Sequence, residues 1–166
     1  MSDATARFAL PLIAPGQAQK ELFHNEALAR VDALVQASVV AVAVHDPPVS
    51  PVPGQCWIVS DTPSGAWAGQ PRSLAVWRDD GWRLMAPLAG MMVWSAADGV
   101  FALVDGAAWS RGDVVARRLL AGGVPVVGMQ QPQIFAPSGG VTVDSEARVA
   151  LSAVLAALRA HGLIAA

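Results

Sequence analysis

Tyrosine is absent from the 166 residues, and cysteine and lysine occur once each, as Cys56 and Lys20. A lone cysteine excludes an internal disulfide framework. Charge is also scarce: Asp, Glu, Lys and Arg make up 14% of the chain, against about 25% in an average soluble protein. With 54% hydrophobic residues, the composition excludes disorder along the whole chain, because disorder needs low hydrophobicity and high charge. A net charge of −2 and a pI near 5.8 exclude a strongly basic nucleic-acid-binding surface. Long hydrophobic runs are missing too. The longest, residues 33–44, is twelve residues interrupted by Gln36 and Ser38, whereas a membrane-spanning helix needs about twenty. The first fourteen residues carry Asp3, a single Arg7 and Pro11, which is not the basic start and unbroken apolar run of a signal peptide. Neither membrane insertion nor a signal peptide is therefore expected. Alanine, with 32 residues, accounts for much of the hydrophobic fraction, but nothing offsets the thin coat of charge.

What is present divides the chain into four segments: an N-terminal helix and strand (1–46), a Trp-rich β-domain (47–115), a loop-rich connector (116–143) and a C-terminal helix (144–166). After Pro15-Gly16, the residues Leu22, Phe23, Leu28, Val31, Leu34 and Val35 recur at steps of three and four, the spacing of an amphipathic helix. The β-branched run from Ser38 to Val44 reads as a strand. All six tryptophans follow between Trp57 and Trp109. There, Asp79-Asp80-Gly81 and Asp105-Gly106 each separate two apolar runs, a hairpin signal. The C-terminal pattern Val149, Leu151, Val154, Leu155, Leu158 is helical, with Asp144 as N-cap and Gly162 as the residue after the C-cap, closed by Leu163. The fold class expected is α+β: an N-terminal amphipathic helix, a small Trp-rich antiparallel sheet or barrel, and a C-terminal amphipathic helix.

No catalytic constellation emerges. His24, His45 and His161 lie far apart, with no Cys or carboxylate at metal-ligand spacing. Phosphate-cradling glycine loops and a nucleophile elbow are absent. No catalytic residue, cofactor or metal is expected, and Cys56, beside Trp57, reads as a small buried side chain. The tryptophans carry the best functional signal. Each reads either as core, since an indole buries a large area, or as a flat platform for a sugar ring. Trp67, Trp82 and Trp109 are the candidates for carbohydrate binding. Trp67 lies in Gly65-Ala66-Trp67-Ala68-Gly69, a turn rather than a strand, and is the one expected to be exposed. The C-terminal helix has one charged residue between Val149 and Ala160, Arg159. A solvated helix keeps a polar face, so Leu151, Val154, Leu155 and Leu158 are candidates for an oligomer interface.

The strings Gln17-Ala18-Gln19-Lys20-Glu21 and His24-Asn25-Glu26-Ala27-Leu28, followed by Gly65-Ala66-Trp67-Ala68-Gly69, Ala75-Val76-Trp77, Gly81-Trp82 and Pro87-Leu88-Ala89-Gly90, suggest a family. The chain resembles, from about Leu10 to Trp109, a bacterial domain family of unassigned function found in prophage tail-fibre proteins and in head-spike proteins of gene transfer agents. The resemblance implies a non-enzymatic structural component of a phage-like particle, assembled in the cytoplasm. It would be a homo-oligomer with capsid or tail proteins as neighbours, contributing to adhesion to host capsular polysaccharide. No nucleic-acid partner is implied. The alternatives are a carbohydrate-binding module that uses exposed Trp and a small glycan hydrolase.

Overall fold

The computed structural model describes residues 4–13, 20–106 and 108–165. It divides into two compact units, Met1–Val114 and Val115–Ala166. The Pro15-Gly16 punctuation and most of the Gln17–Lys20 string lie outside the described residues.

In the first unit, helix α1 (Lys20–Leu34) precedes β1 (Ser38–Val39), β2 (Cys56–Ile58), a 3-10 turn at Gly65–Trp67, β3 (Leu74–Arg78), β4 (Gly81–Met85), β5 (Met92–Ser95), β6 (Val100–Asp105) and β7 (Ala108–Arg111). The strands form two open sheets, ordered β2-β3-β4 and β1-β5-β6-β7. Pairing is antiparallel except between β1 and β5. The α+β class follows as expected; of the two β options the open sheet is realised, and neither sheet closes into a barrel. Both Asp-Gly hairpins form. Arg78 pairs with Gly81 around Asp79-Asp80, and Asp105 pairs with Ala108 around a turn whose Gly106 has φ +66°. That left-handed conformation is what glycine tolerates best.

Alternation along β2 and β3 builds two cores. Cys56, Ile58, Leu74 and Val76 face Val39, Val93 and Ala102 of the other sheet, with Ala33 and Ala37 closing the layer. Trp57, Val59 and Ala75 point to the opposite side, into a cluster with Trp67. A strand covered on both faces reads as a continuous apolar run, as Cys56-Trp57-Ile58-Val59 does. Burial pushes the Cys56 thiol up to about 11, with Arg7 opposing and Asp32 adding to the shift.

The strand expected over Ser38 to Val44 is regular only at Ser38–Val39. Beyond it the backbone alternates partners along β2: Val40 N–H donates to Cys56 O at 2.8 Å, and Val44 N–H to Ile58 O at 2.9 Å. Ala43 at φ +60° interrupts the extended run.

Helix α1 is inverted relative to its apolar pattern. Asp32 and Ala33 are buried, and Asn25, Glu26 and Ala29 are half-buried, while Phe23, Val31 and Leu34 face outward. The reason is a strap formed by the N-terminal segment. The Asp32 carboxylate accepts from Thr5 Oγ1 (2.7 Å), Arg7 N–H (2.9 Å) and Phe8 N–H (2.7 Å). The Arg7 guanidinium donates to the carbonyls of Asp32, Ala33, Val35 and Gln36 at 2.6–3.3 Å. It thereby satisfies the free carbonyls at the helix end and sets a positive charge against the negative end of the helix dipole. Asn25 holds the other end of the strap, accepting from Ile13 N–H at 2.9 Å and donating to Ile13 O at 3.1 Å. Gly54 lies beneath it: a Cβ there would come within 2.9 Å of Ala6 Cβ.

The second unit holds a hairpin of β8 (Leu119–Ala121) and β9 (Val124–Val127), turned at Gly122-Gly123, and helix α2 (Ser145–Ala160). Asp144 caps α2, its Oδ1 accepting from Ala147 N–H at 2.9 Å. At the other end Gly162, at φ +67°, donates to Arg159 O, and Leu163 N–H donates to Leu158 O, both at 2.9 Å. These are the two bonds of a Schellman closure. Arg148 and Arg159 tie α2 to the carbonyls of Gly139 and Ile134.

Candidate functional site

Four of the six tryptophans meet on one side of the β2-β3-β4 sheet. Trp82 is the hub: its ring lies edge-on to Trp57 (5.5 Å between centroids), Trp67 (5.0 Å) and Trp77 (4.9 Å). Such edge-to-face contacts suit the negative faces and positive edges of the rings. Trp67 is the correction to the sequence reading. Expected to be exposed in its turn, it is fully buried, at 0%. The 3-10 turn at Gly65–Trp67 tucks the indole beneath the sheet instead of presenting it, and its Nε1 has no hydrogen-bond partner. Trp82 is half-buried inside the same cluster. Trp109 lies apart from it on β7, half-buried against the first core, with Nε1 donating to Arg72 O at 2.8 Å. The three candidate sugar platforms therefore do not form one site.

The tryptophan with the most open surface is Trp94, 39% exposed. It lies on the outer face of β5–β6, where its ring meets Phe101 edge-on at 5.0 Å. The sequence reading missed it because β5 alternates against the apolar pattern. Val93 and Ser95 point inward and Met92 and Trp94 outward. Ser95 is tolerated inside because its hydroxyl donates to Asp98 Oδ2 at 2.7 Å.

Beside the Trp cluster, the N-terminal strap, α1 and the β3–β4 hairpin enclose a groove of about 610 Å³. Trp77 forms part of its wall, and an ion-pair hub lies along it. Glu26 Oε2 accepts from Arg78 Nη1 (2.9 Å) and Arg83 Nε (3.2 Å), and Oε1 from Arg30 Nε (3.1 Å). Arg83 Nη2 also donates to Asp80 Oδ2 at 2.6 Å. Partial burial pushes the Glu26 proton affinity up, but the hydrogen bonds from Arg30 and Arg83 and the charges of Arg83 and Arg78 outweigh it, so its pKa falls below the ordinary 4.5. A carboxylate held ionised in this way suits a structural hub rather than a proton donor.

This hub makes a pH prediction. A depressed carboxylate pKa adds stability above its unfolded value and loses it as pH falls through the folded value. The stability difference between the wild type and Glu26→Gln, measured by denaturant titration, is expected to stay constant from neutral pH down to about pH 5 and to shrink below pH 4.5. A difference that does not change with pH would show that the hub is not ionic.

Among the described residues, no group of three or more His, Cys, Asp or Glu side chains is placed to hold a metal ion. No helix among them is long and apolar enough to cross a membrane. The proposed interface residues of α2 split: Leu151 and Val154 point outward at 52% and 55% exposure, Leu155 is buried, and Leu158 is half-buried.

A family model matches residues 24–110, from within α1 to within β7, and so covers the Glu26 hub, both sheets and all six tryptophans. The family is described as protein of unknown function (DUF2793). The chain belongs to the DUF2793 family. A comparison with curated proteins found no match. The DUF2793 match ends close to the boundary of the first compact unit at Val114, so the Trp cluster and the two-sheet core lie within the matched region, and the α2 unit lies outside it.

Proposed function

We propose that the protein is a non-enzymatic, self-associating structural component of a phage-like particle, a head spike or tail fibre. The observation that carries this reading is the second unit's lack of a core. Between residues 115 and 165, only Leu155 and Ile164 are buried. Leu119, Leu120, Val124, Val126 and Val127 of its hairpin and Val149, Leu151 and Val154 of α2 face outward. A segment of about fifty residues is marginal even with a good core, and so many exposed apolar side chains are what a subunit interface covers. The particle context comes from the motif resemblance, and membership of DUF2793 is consistent with it. Light scattering on the purified chain at micromolar concentration tests the reading. A stable oligomer is expected, and Leu151→Asp with Val154→Asp should lower its mass. A monodisperse monomer would overturn it.

A second reading, adhesion to capsular polysaccharide, is favoured by the exposed Trp94–Phe101 pair. Here Trp94→Ala should abolish binding to a host-surface glycan array, whereas Trp67→Ala would act only through loss of fold. Absence of binding by the wild type removes this reading.

A further inference from the structure

Among the described residues of the first unit, none packs on the outward face of α1, which is largely apolar. Phe23, Ala27, Val31 and Leu34 recur at steps of four, four and three on a helix whose inward side is Asn25, Glu26, Ala29, Asp32 and Ala33. Phe23 is 79% exposed, and Val31, Leu34 and the following Val35 are all exposed. The strap prevents the helix from rolling this face inward, because a roll would break the three hydrogen bonds held by Asp32 and those of Asn25 to Ile13.

We infer that two copies of the chain pair through this face, with their α1 helices antiparallel and crossing at Ala27. Three observations select a second copy and this direction. First, the stripe is self-complementary about Ala27. Phe23 and Val31 each lie four residues from it, so each Phe23 meets the partner subunit's Val31 and the reverse, as an isologous contact requires. Second, the smallest side chain lies at the crossing point, where helices approach to about 8 Å. Third, the cations on or beside the stripe, Lys20 and Arg30, would stack on their own copies in a parallel pair. The antiparallel pair sets Lys20 against Leu34 and Arg30 against His24. With the aliphatic stems of Lys20 and Arg30, the stripe offers on the order of 500 Å² per copy, so a pair buries about 1,000 Å², where specific interfaces begin. The inference rests on the self-association part of the proposed function, but places one contact on α1 of the family domain rather than on α2.

Cross-linking of the full chain tests it. Cys56 is buried and its thiol is held protonated, so it does not compete. Ala27→Cys is expected to give a disulfide-linked dimer under mild oxidation, since facing Cα atoms at the crossing fall within disulfide reach. Lys20→Cys alone should not link, because two such positions lie about 20 Å apart in the antiparallel pair. Lys20→Cys with Leu34→Cys should link. Adding Phe23→Asp and Val31→Glu to Ala27→Cys should abolish the link with circular dichroism unchanged, because both side chains are exposed. An oligomer by light scattering in which Ala27→Cys gives no link overturns this inference and leaves the proposed function standing. A monomer overturns both. A Lys20→Cys homodimer overturns the antiparallel direction.

Discussion

Trp67→Ala is expected to destabilise the family domain by about 3–5 kcal/mol, the range for deleting a large aromatic from a core that cannot collapse into the space. Trp67 is fully buried and touches both Trp57 and Trp82. Removing it also removes the edge-to-face partner that orients Trp82, and through Trp82 the contact with Trp77. The loss is a large fraction of the stability of any domain of this size. The measurement is denaturant unfolding followed by tryptophan fluorescence, with Trp67→Phe as companion. Phenylalanine has no N–H, and Trp67 Nε1 is buried without a partner, so the companion gives up no hydrogen bond and should recover part of the loss. A change below about 0.5 kcal/mol for the alanine variant, the scale of an ordinary surface substitution, would show that the cluster is not the second core.

Asp32→Ala is expected to lower stability by about 2–4 kcal/mol, because a buried carboxylate accepting several hydrogen bonds leaves their donors unpaired when it goes. Asp32 is 5% exposed, and its donors are Thr5 Oγ1 and the backbone N–H groups of Arg7 and Phe8. The distinctive readout is local. Hydrogen exchange at the Arg7 and Phe8 amides should lose protection before the sheets unfold, since both amides donate to this one side chain. Asp32→Asn keeps an acceptor oxygen and should retain part of the protection. If both amides stay protected in Asp32→Ala, the strap is held by Arg7 and Asn25 alone.

These two residues mark where sequence reasoning reaches and where it stops. The hairpins at Asp79-Asp80-Gly81 and Asp105-Gly106 were legible because turn chemistry is local. So were both ends of α2, because a cap is a bond between residues three to five apart. The Cys56-Trp57-Ile58-Val59 run announced a strand. Trp67 was misread for the opposite reason. A glycine-flanked indole in a turn looks exposed, and only the neighbouring rings of Trp57 and Trp82 show that the turn folds under the sheet. Trp94 was overlooked because Ser95, the polar member of its strand, is paired inside by Asp98 in the turn that follows. Asp32 is a charged residue between the apolar positions Val31 and Leu34, yet it is buried by a segment twenty-odd positions away.

By itself, the sequence determined the α+β class, the two Asp-Gly hairpin turns, the caps of α2 and the shortage of charge, which follow from composition and near-neighbour chemistry; the β8–β9 hairpin lies in what read as a loop-rich connector. The tertiary structure decided which face of each element is inside. On α1 it placed the polar side inward and left Phe23, Val31 and Leu34 in water. The physical reason is that burial is set by what packs across from an element, and the strap that packs on α1 offers hydrogen-bond donors rather than apolar surface. The thin coat of charge thus becomes a matter of location: the outer face of α1, the outward residues of α2 and the Trp94–Phe101 pair are where apolar side chains face outward.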